Sequence, residues 1–558
     1  SFAPCSKKAR AMPPVMPVAP PVTKATFPCK MESANTLLIV LKILSRNFKA
    51  TVPAILISVS LWAASCSSSP TNLRALAPSE TLIYLETNNL GAALRSVFES
   101  RPIKESAVKV PDLSVLDGVQ AAVAITGFEM QEQKLTDEQS VGKVMPKFAL
   151  IADTHKWNYQ ARAFAEAKLG GFVADIYGSE PKLEKSEKAG GSYFAWTAAD
   201  GRKAFALVID GLIYFGNDEG LIDHCIAVRK GEGTAFDAKS LHPSAPTDLA
   251  YGYISPDGMA QIANVLGVRL AAESTEEGEV RSAIAGILPK LIRGAVKDVH
   301  WTTKKKDDKI EDRWEIDMPN EVAAVFAETM TPADGQANAS LAALIPANAR
   351  SATIYNLKTP QVAWRGVVLT AEHLSDPFTA RVFSEIGTAL FEPYGIGEPE
   401  KFLSSIDGRI VTVSLAEDQA ATVVKPSTNG QLQGLVPELG PAAKKKDDAE
   451  TPDVAVQYTG NLAVVGERDT VAACVAGGAR SDIADVLFAA DPGSVSTVSK
   501  DDAAIKAIAS FLGDEKTANP ASAFSLSRTD FSKSGVVRTT TSDLGFIGQI
   551  IAMLSDDN

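Results

Sequence analysis

The sequence predicts an α+β protein of two related units, each an antiparallel sheet of hairpins packed against helices. Three observations carry this. Short apolar, β-rich runs are joined by Asp-Gly or Thr-Gly pairs. Apolar faces at helical spacing lie beside them. The same order of elements occurs twice along the 558 residues.

The first copy opens with a strand over 81–85 and a helix over 88–100. Leu90, Leu94, Val97 and Phe98 fall on one helical face, and Asn88 or Asn89 can cap its start. Leu113 to Gly118 then lead into a strand over 119–125. A helix over 157–169 and a strand over 192–197 follow. Residues 205–209 and 212–216 form a hairpin around Asp210-Gly211, a strong short-range turn signal. A charged turn and a helix come next. The copy closes on a hairpin of 299–302 with 310–316, whose tip is expected at Lys304-Lys305-Lys306-Asp307-Asp308, and on a helix over 320–330.

The second copy repeats the order. A strand over 352–355 precedes a helix over 359–369, with Thr359 as cap and Pro360 in the first turn. Leu403 to Gly408 lead into a strand over 409–415. The counterpart hairpin pairs 454–458 with 461–466 around Thr459-Gly460. Strands over 523–526 and 535–540 precede a final helix over 544–554. Where the first copy has its additional helix and strand, the second has 425–453, rich in Gly, Pro and charge, which reads as a long loop or a lost element. The units span 75–332 and 341–558, with the boundary at 331–336.

Ahead of both lies a leader. Arg46 and Lys49 precede an apolar run from Ala54 to Ala64, and Ala63-Ala64-Ser65 stand before Cys66 and three serines. A basic patch, a short apolar run and small residues make a secretory signal. The run is short of the about 20 residues a spanning helix needs. Residues 1–30 hold seven prolines and read as extended or disordered, with Met31 as the expected true start. On this reading 1–65 are absent from the mature chain, 66–74 form a Ser-rich tether, and Cys66 carries the lipid.

Removing 1–65 takes away eight basic residues and one acidic one. It leaves 47 basic against 66 acidic, a net charge of −19. Such a body is repelled by nucleic acid and by anionic headgroups. Only Cys225 and Cys474 remain besides Cys66, so the core and not a disulfide framework holds the fold, although the two lie on corresponding helices and could pair.

Ala-Ala-Ser-Cys66 looks like a lipobox. With the order of strands, hairpins and turns behind it, the chain resembles bacterial envelope lipoproteins of unknown function. The resemblance implies an acylated Cys66 and a place on the cell envelope, most simply the outer membrane because Ser67 is not an inner-membrane retention aspartate. It supplies no catalytic residues.

The candidates for chemistry read as structural. His224 and Cys225 are helix neighbours that point apart and cannot act as base and nucleophile. Asp153-Thr154-His155 ends a strand without a third partner. Glu372 and His373 with Asp376 lack a defined metal frame. Glu276, Glu277 and Glu279 suit a helix N-terminus. Gly395 and Gly397 lack a third glycine and a preceding strand. Lys304 to Asp308, like Lys444 to Asp448, carry acids beside the lysines and read as solvated turn tips. No cofactor or metal is expected. The leading reading is a non-enzymatic envelope lipoprotein that binds a protein partner or an apolar ligand, with a cleft between the units as the expected place. The alternatives are an envelope-polymer hydrolase using Asp153 or Asp376, and a structural spacer.

Overall fold

The computed structural model describes residues 71–555 apart from 107, 135–139, 178, 237–246, 274–277, 335–338, 376–390, 392–393, 417–418, 429–431, 433–453, 477–480, 490–491 and 513–522. The leader, Cys66, the core of the 425–453 segment and part of the expected boundary therefore lie outside the described residues. No helix among the described residues is long and apolar enough to cross a membrane.

The protein is α+β, built on one antiparallel sheet of 18 strands. The first half contributes β1 (Ile83–Thr87), β2 (Gln120–Lys134), β3 (Ser140–Asp153), β4 (Lys182–Lys188), β5 (Gly191–Thr197), β6 (Lys203–Ile209), β7 (Leu212–Gly216), β8 (Asp248–Ile254), β9 (Asp298–Lys306) and β10 (Lys309–Asp317). The second contributes β11 (Ser351–Tyr355), β12 (Ile410–Ser414), β13 (Ala420–Val424), β14 (Val454–Thr459), β15 (Leu462–Glu467), β16 (Val495–Lys500), β17 (Phe524–Ser532) and β18 (Gly535–Ser542). The first half pairs in the order β6-β7-β3-β2-β1-β8-β9-β10. The second pairs in the order β14-β15-β13-β12-β11-β16-β17-β18. The two orders match strand for strand. β5 and β4 extend the first half beyond β6, which makes β4 and β14 the two edges of the sheet among the described residues.

Local chemistry explains the elements. Helix Leu90–Phe98 is capped by Asn89, whose side chain accepts from the Ala92 N–H at 2.9 Å. Asp210 and Gly211, at φ 52° and 83°, form the two-residue turn between β6 and β7 that matches strand twist. Two turns differ from the sequence reading. Thr459 pairs with Leu462, so the second hairpin turns at Gly460-Asn461, with Gly460 at φ 62°. Lys304 to Lys306 belong to β9 and only Asp307-Asp308 form the tip. The cause is Glu311 across the ladder, 3.6 Å from Lys304 and 2.7 Å from Lys306, which turns a run of like charge into strand pairs. The predicted helix over 157–169 is helix Asn158–Phe164 with a π turn after it, followed by helix Gly170–Tyr177. Thr359 sits at the cap position of helix Pro360–Leu374 without a side-chain bond, and the helix runs five residues further than expected.

The sheet is covered on both faces. Helix Glu219–Arg229 packs Cys225 and Ile226 against Ala149, Ile151, Leu207 and Tyr214. The helices of 158–177 cover the opposite face, over Trp196, Ala206, Val208 and Ile213. Burial on both sides is why β6 and β7 read as unbroken apolar runs. In the second half Val413, Val423 and Val464 meet Val471, Cys474 and Leu487 on one face, and Val424, Val456 and Val465 meet Phe402 and Leu403 on the other.

The halves join where β10 pairs with β18 over eight residues, Ile310 with Ser542 through Asp317 with Gly535. A Cβ at Gly535 would sit on the carbonyl oxygen of Ile316, so only glycine lets the strands approach there. Asp312 stands in this junction, 2 % exposed. It accepts from the Trp301 indole at 3.1 Å and from the Phe546 N–H at 2.7 Å, which starts helix Gly545–Ser555 of the other half. Burial pushes its carboxyl up to about 6, against hydrogen bonds from Thr303, Phe546 and Trp301 that favour the charge.

At pH 4, where the carboxyl is neutral in the fold, Asp312→Ala should lower stability to urea by about 3 kcal/mol, because two buried donors lose their acceptor. A carboxyl with a raised folded pKa holds a proton that the unfolded chain has released. Its effect on stability is nil below about pH 4 and unfavourable by about 3 kcal/mol above pH 6. The stability of the wild type relative to Asp312→Asn should therefore fall by about that amount between pH 4 and pH 7.

Candidate functional site

Most residues singled out in the sequence serve the fold. Asp153 ends β3 and accepts from the Thr71 hydroxyl at 2.5 Å and the His155 N–H at 2.8 Å, while Thr154 donates to the Gly211 carbonyl. The His155 ring stands 3.3 Å from the same carboxylate. Asp153 thus fastens the start of the described chain to the end of a strand. His224 pairs with Glu80 at 2.7 Å on the surface, whereas Cys225 is fully buried and its thiol is pushed up to about 12 by burial. Cys474 behaves alike in the core of the other half, and both cysteines are free, so the disulfide is not formed. Glu372 and His373 are exposed helix neighbours, and Asp376 lies outside the described residues. So do Glu276, Glu277 and Lys444 to Asp448, while Glu279 falls in helix Gly278–Ala295. Gly395, at φ 70°, packs against Val454 in a turn, and Gly397 faces open space.

The structure assembles a polar cluster that no motif announced. Asp298 and Asp317 pair across β9 and β10, and His300 lies on the same face two residues along. The His300 Nε2 is 3.1 Å from the Asp298 carboxylate, and the ring packs on Tyr253 at 5.4 Å. Asp298, His300 and Asp317 each offer a ligand atom within 4.8 Å of the others. An imidazole and two carboxylates suit a divalent cation. Partial burial first, then the facing Asp298, pushes the Asp317 carboxyl up from its ordinary value. The Asp307-Asp308 turn fixes which residues face each other, so the cluster was readable from the hairpin register once the tip was placed correctly.

A second feature is apolar. A cavity of about 360 Å³ lies between the first-half sheet and helix Gly170–Tyr177. Phe148 of β3, Phe215 of β7, and Phe172, Val173 and Tyr177 of the helix form its walls. Phe215 meets Phe148 and Phe172 with ring centroids 6.2 Å away in each case. The rim is charged. Lys147 bridges Glu129 at 2.6 Å and Asp218 at 3.4 Å, and Arg202 lies over the Tyr177 ring. Volume, apolar walls and a few polar groups at the mouth are those of a small-ligand pocket. It lies within the first half. At the expected cleft between the halves, β10 and β18 pair edge to edge.

No family model matches the chain, and no curated protein matches it. A solved structure, crystal form I of TP0453, is similar at 9% identity and a TM-score of 0.24, over 46% of this chain and 81% of that chain.

Asp317→Asn should raise the melting temperature more at pH 8 than at pH 5, followed by differential scanning fluorimetry. At pH 8 the substitution removes an ionised carboxylate facing Asp298, and at pH 5 part of that repulsion is already gone.

Proposed function

We propose that the protein is a lipoprotein of the bacterial cell envelope, tethered through acylated Cys66 and carrying a non-enzymatic body that holds an apolar ligand. The observation that carries the ligand reading is the aromatic-walled cavity behind Phe172 and Phe215, with its charged rim. The tether reading rests on the basic, apolar and small-residue leader before Cys66. The strand order shared by the two halves supports an origin by duplication. On that view the first unit acquired its pocket through the helices and strands of 157–197, and the second unit serves as its scaffold. The hydrolase alternative leaned on Asp153 or Asp376; the Asp153 carboxylate is occupied by Thr71 and His155, and Asp376 lies outside the described residues. Ser67, which is not an inner-membrane retention aspartate, supports the outer membrane over the inner one where the cell has both.

N-phenyl-1-naphthylamine serves as the test ligand. Wild-type protein should bind it with a rise in fluorescence. Phe172→Ala should weaken binding about tenfold, since losing a phenyl contact costs about 1.5 kcal/mol. Unchanged binding in the variant would remove the pocket from the account. Cys66→Ala should abolish incorporation of labelled palmitate.

A further inference from the structure

We infer that the turn bearing Trp157 and Tyr159 is a membrane-docking surface, seated among the headgroups of the bilayer that holds the acylated Cys66. The inference rests on the tethered-lipoprotein reading.

Trp157 is 75% exposed and Tyr159 69%, the two most exposed large apolar side chains among the described residues. They occupy a run, His155 to Gln160, in which every residue is exposed. The turn is held in shape. The Gln160 side chain accepts from the Trp157 N–H at 3.2 Å, and the Gln160 N–H donates to the Trp157 carbonyl at 2.8 Å. These rings are therefore presented on a fixed backbone at little further ordering cost.

Their position relative to the tether decides the occupant. Thr71 donates to Asp153, and Asp153 accepts from His155, so two hydrogen bonds through one carboxylate connect the incoming chain to a residue two before Trp157. Only four residues lie between Cys66 and Thr71, and those five Cα steps reach about 18 Å even when fully extended. An acylated Cys66 therefore brings this end of the molecule to the bilayer surface. Trp and Tyr are the side chains that favour that layer, with an apolar ring body and a polar tip. The local charge does not oppose it. Lys156 is exposed, Asp153 is occupied, and Asp210 in the neighbouring turn is paired with Arg229 at 2.5 Å. Two aromatic side chains supply about 400 Å² of contact, roughly half of one side of a standard protein interface. That is too little for a stable protein partner and enough to orient a body that lipid already retains.

The test uses the full-length protein, expressed with its leader, labelled with palmitate and reconstituted in phosphatidylcholine vesicles with brominated acyl chains. The wild type should lose a share of its tryptophan emission to bromine quenching. In Trp157→Phe, an exposed and mild substitution, that quenched share should be absent. Equal quenching in the two proteins, with palmitate incorporated, overturns the docking surface and leaves the tether standing. Absence of palmitate overturns both. Protection of Trp157 from acrylamide by a co-purifying protein, and not by vesicles, also overturns the proposal.

Discussion

The edge-to-edge pairing of β10 with β18 is the constraint on which the molecule depends. Without it there would be two sheets, each with a long unpaired edge and an incomplete core. With it, helices from both halves share one apolar layer. Val97, Phe98 and Ile103 of the first half pack with Ile505, Ile508, Leu544 and Ile551 of the second. Trp301, Trp314 and Phe546 close the same seam, with ring centroids 4.9 to 5.7 Å apart. Asp312 fixes the seam's geometry by joining a strand of one half to the first turn of a helix of the other. Its burial is costly, and the hydrogen bonds it accepts offset part of that cost.

The legible parts of the fold were those written in local chemistry. Asp210-Gly211 requires a two-residue turn, and the apolar runs beside it become β6 and β7. Asn89 caps its helix because its side chain reaches a free N–H, and Pro360 starts a helix because its ring fixes the first φ. The repeated order of elements also survived the passage to three dimensions, as a repeated order of pairing. What local chemistry does not encode is the partner of an edge. Nothing in Lys309–Asp317 or Gly535–Ser542 says that they meet, because both read as the outer strands of hairpins. The lysines of β9 were misplaced for a related reason, since their pairing residue Glu311 is visible only once the register is known.

The candidate site was less legible than the fold. Asp298, His300 and Asp317 come together through strand register, and the cavity comes together through a helix laid over a sheet. Neither leaves a spaced motif. Asp153, singled out as a strand-end residue, does have a special position, but as a fastening for Thr71. The apolar cavity and the exposed aromatic turn both lie in the first half. Along β3, Phe148 stands five residues, about 17 Å, from Asp153. The Thr71 fastening and the pocket thus lie apart along one strand.

The ends of the sheet differ in how they meet another molecule. Lys182, Glu184, Lys185, Glu187 and Lys188 line β4, and several are already engaged, Lys185 with Glu166 and Lys188 with Glu219 and Asp223. A foreign strand aligning there would have to break those pairs and strip the charges of water. Val454–Thr459 at the opposite border carries no Lys, Arg, Asp or Glu. Among the described residues, a strand adding to the sheet therefore meets this charge barrier at β4 and not at β14.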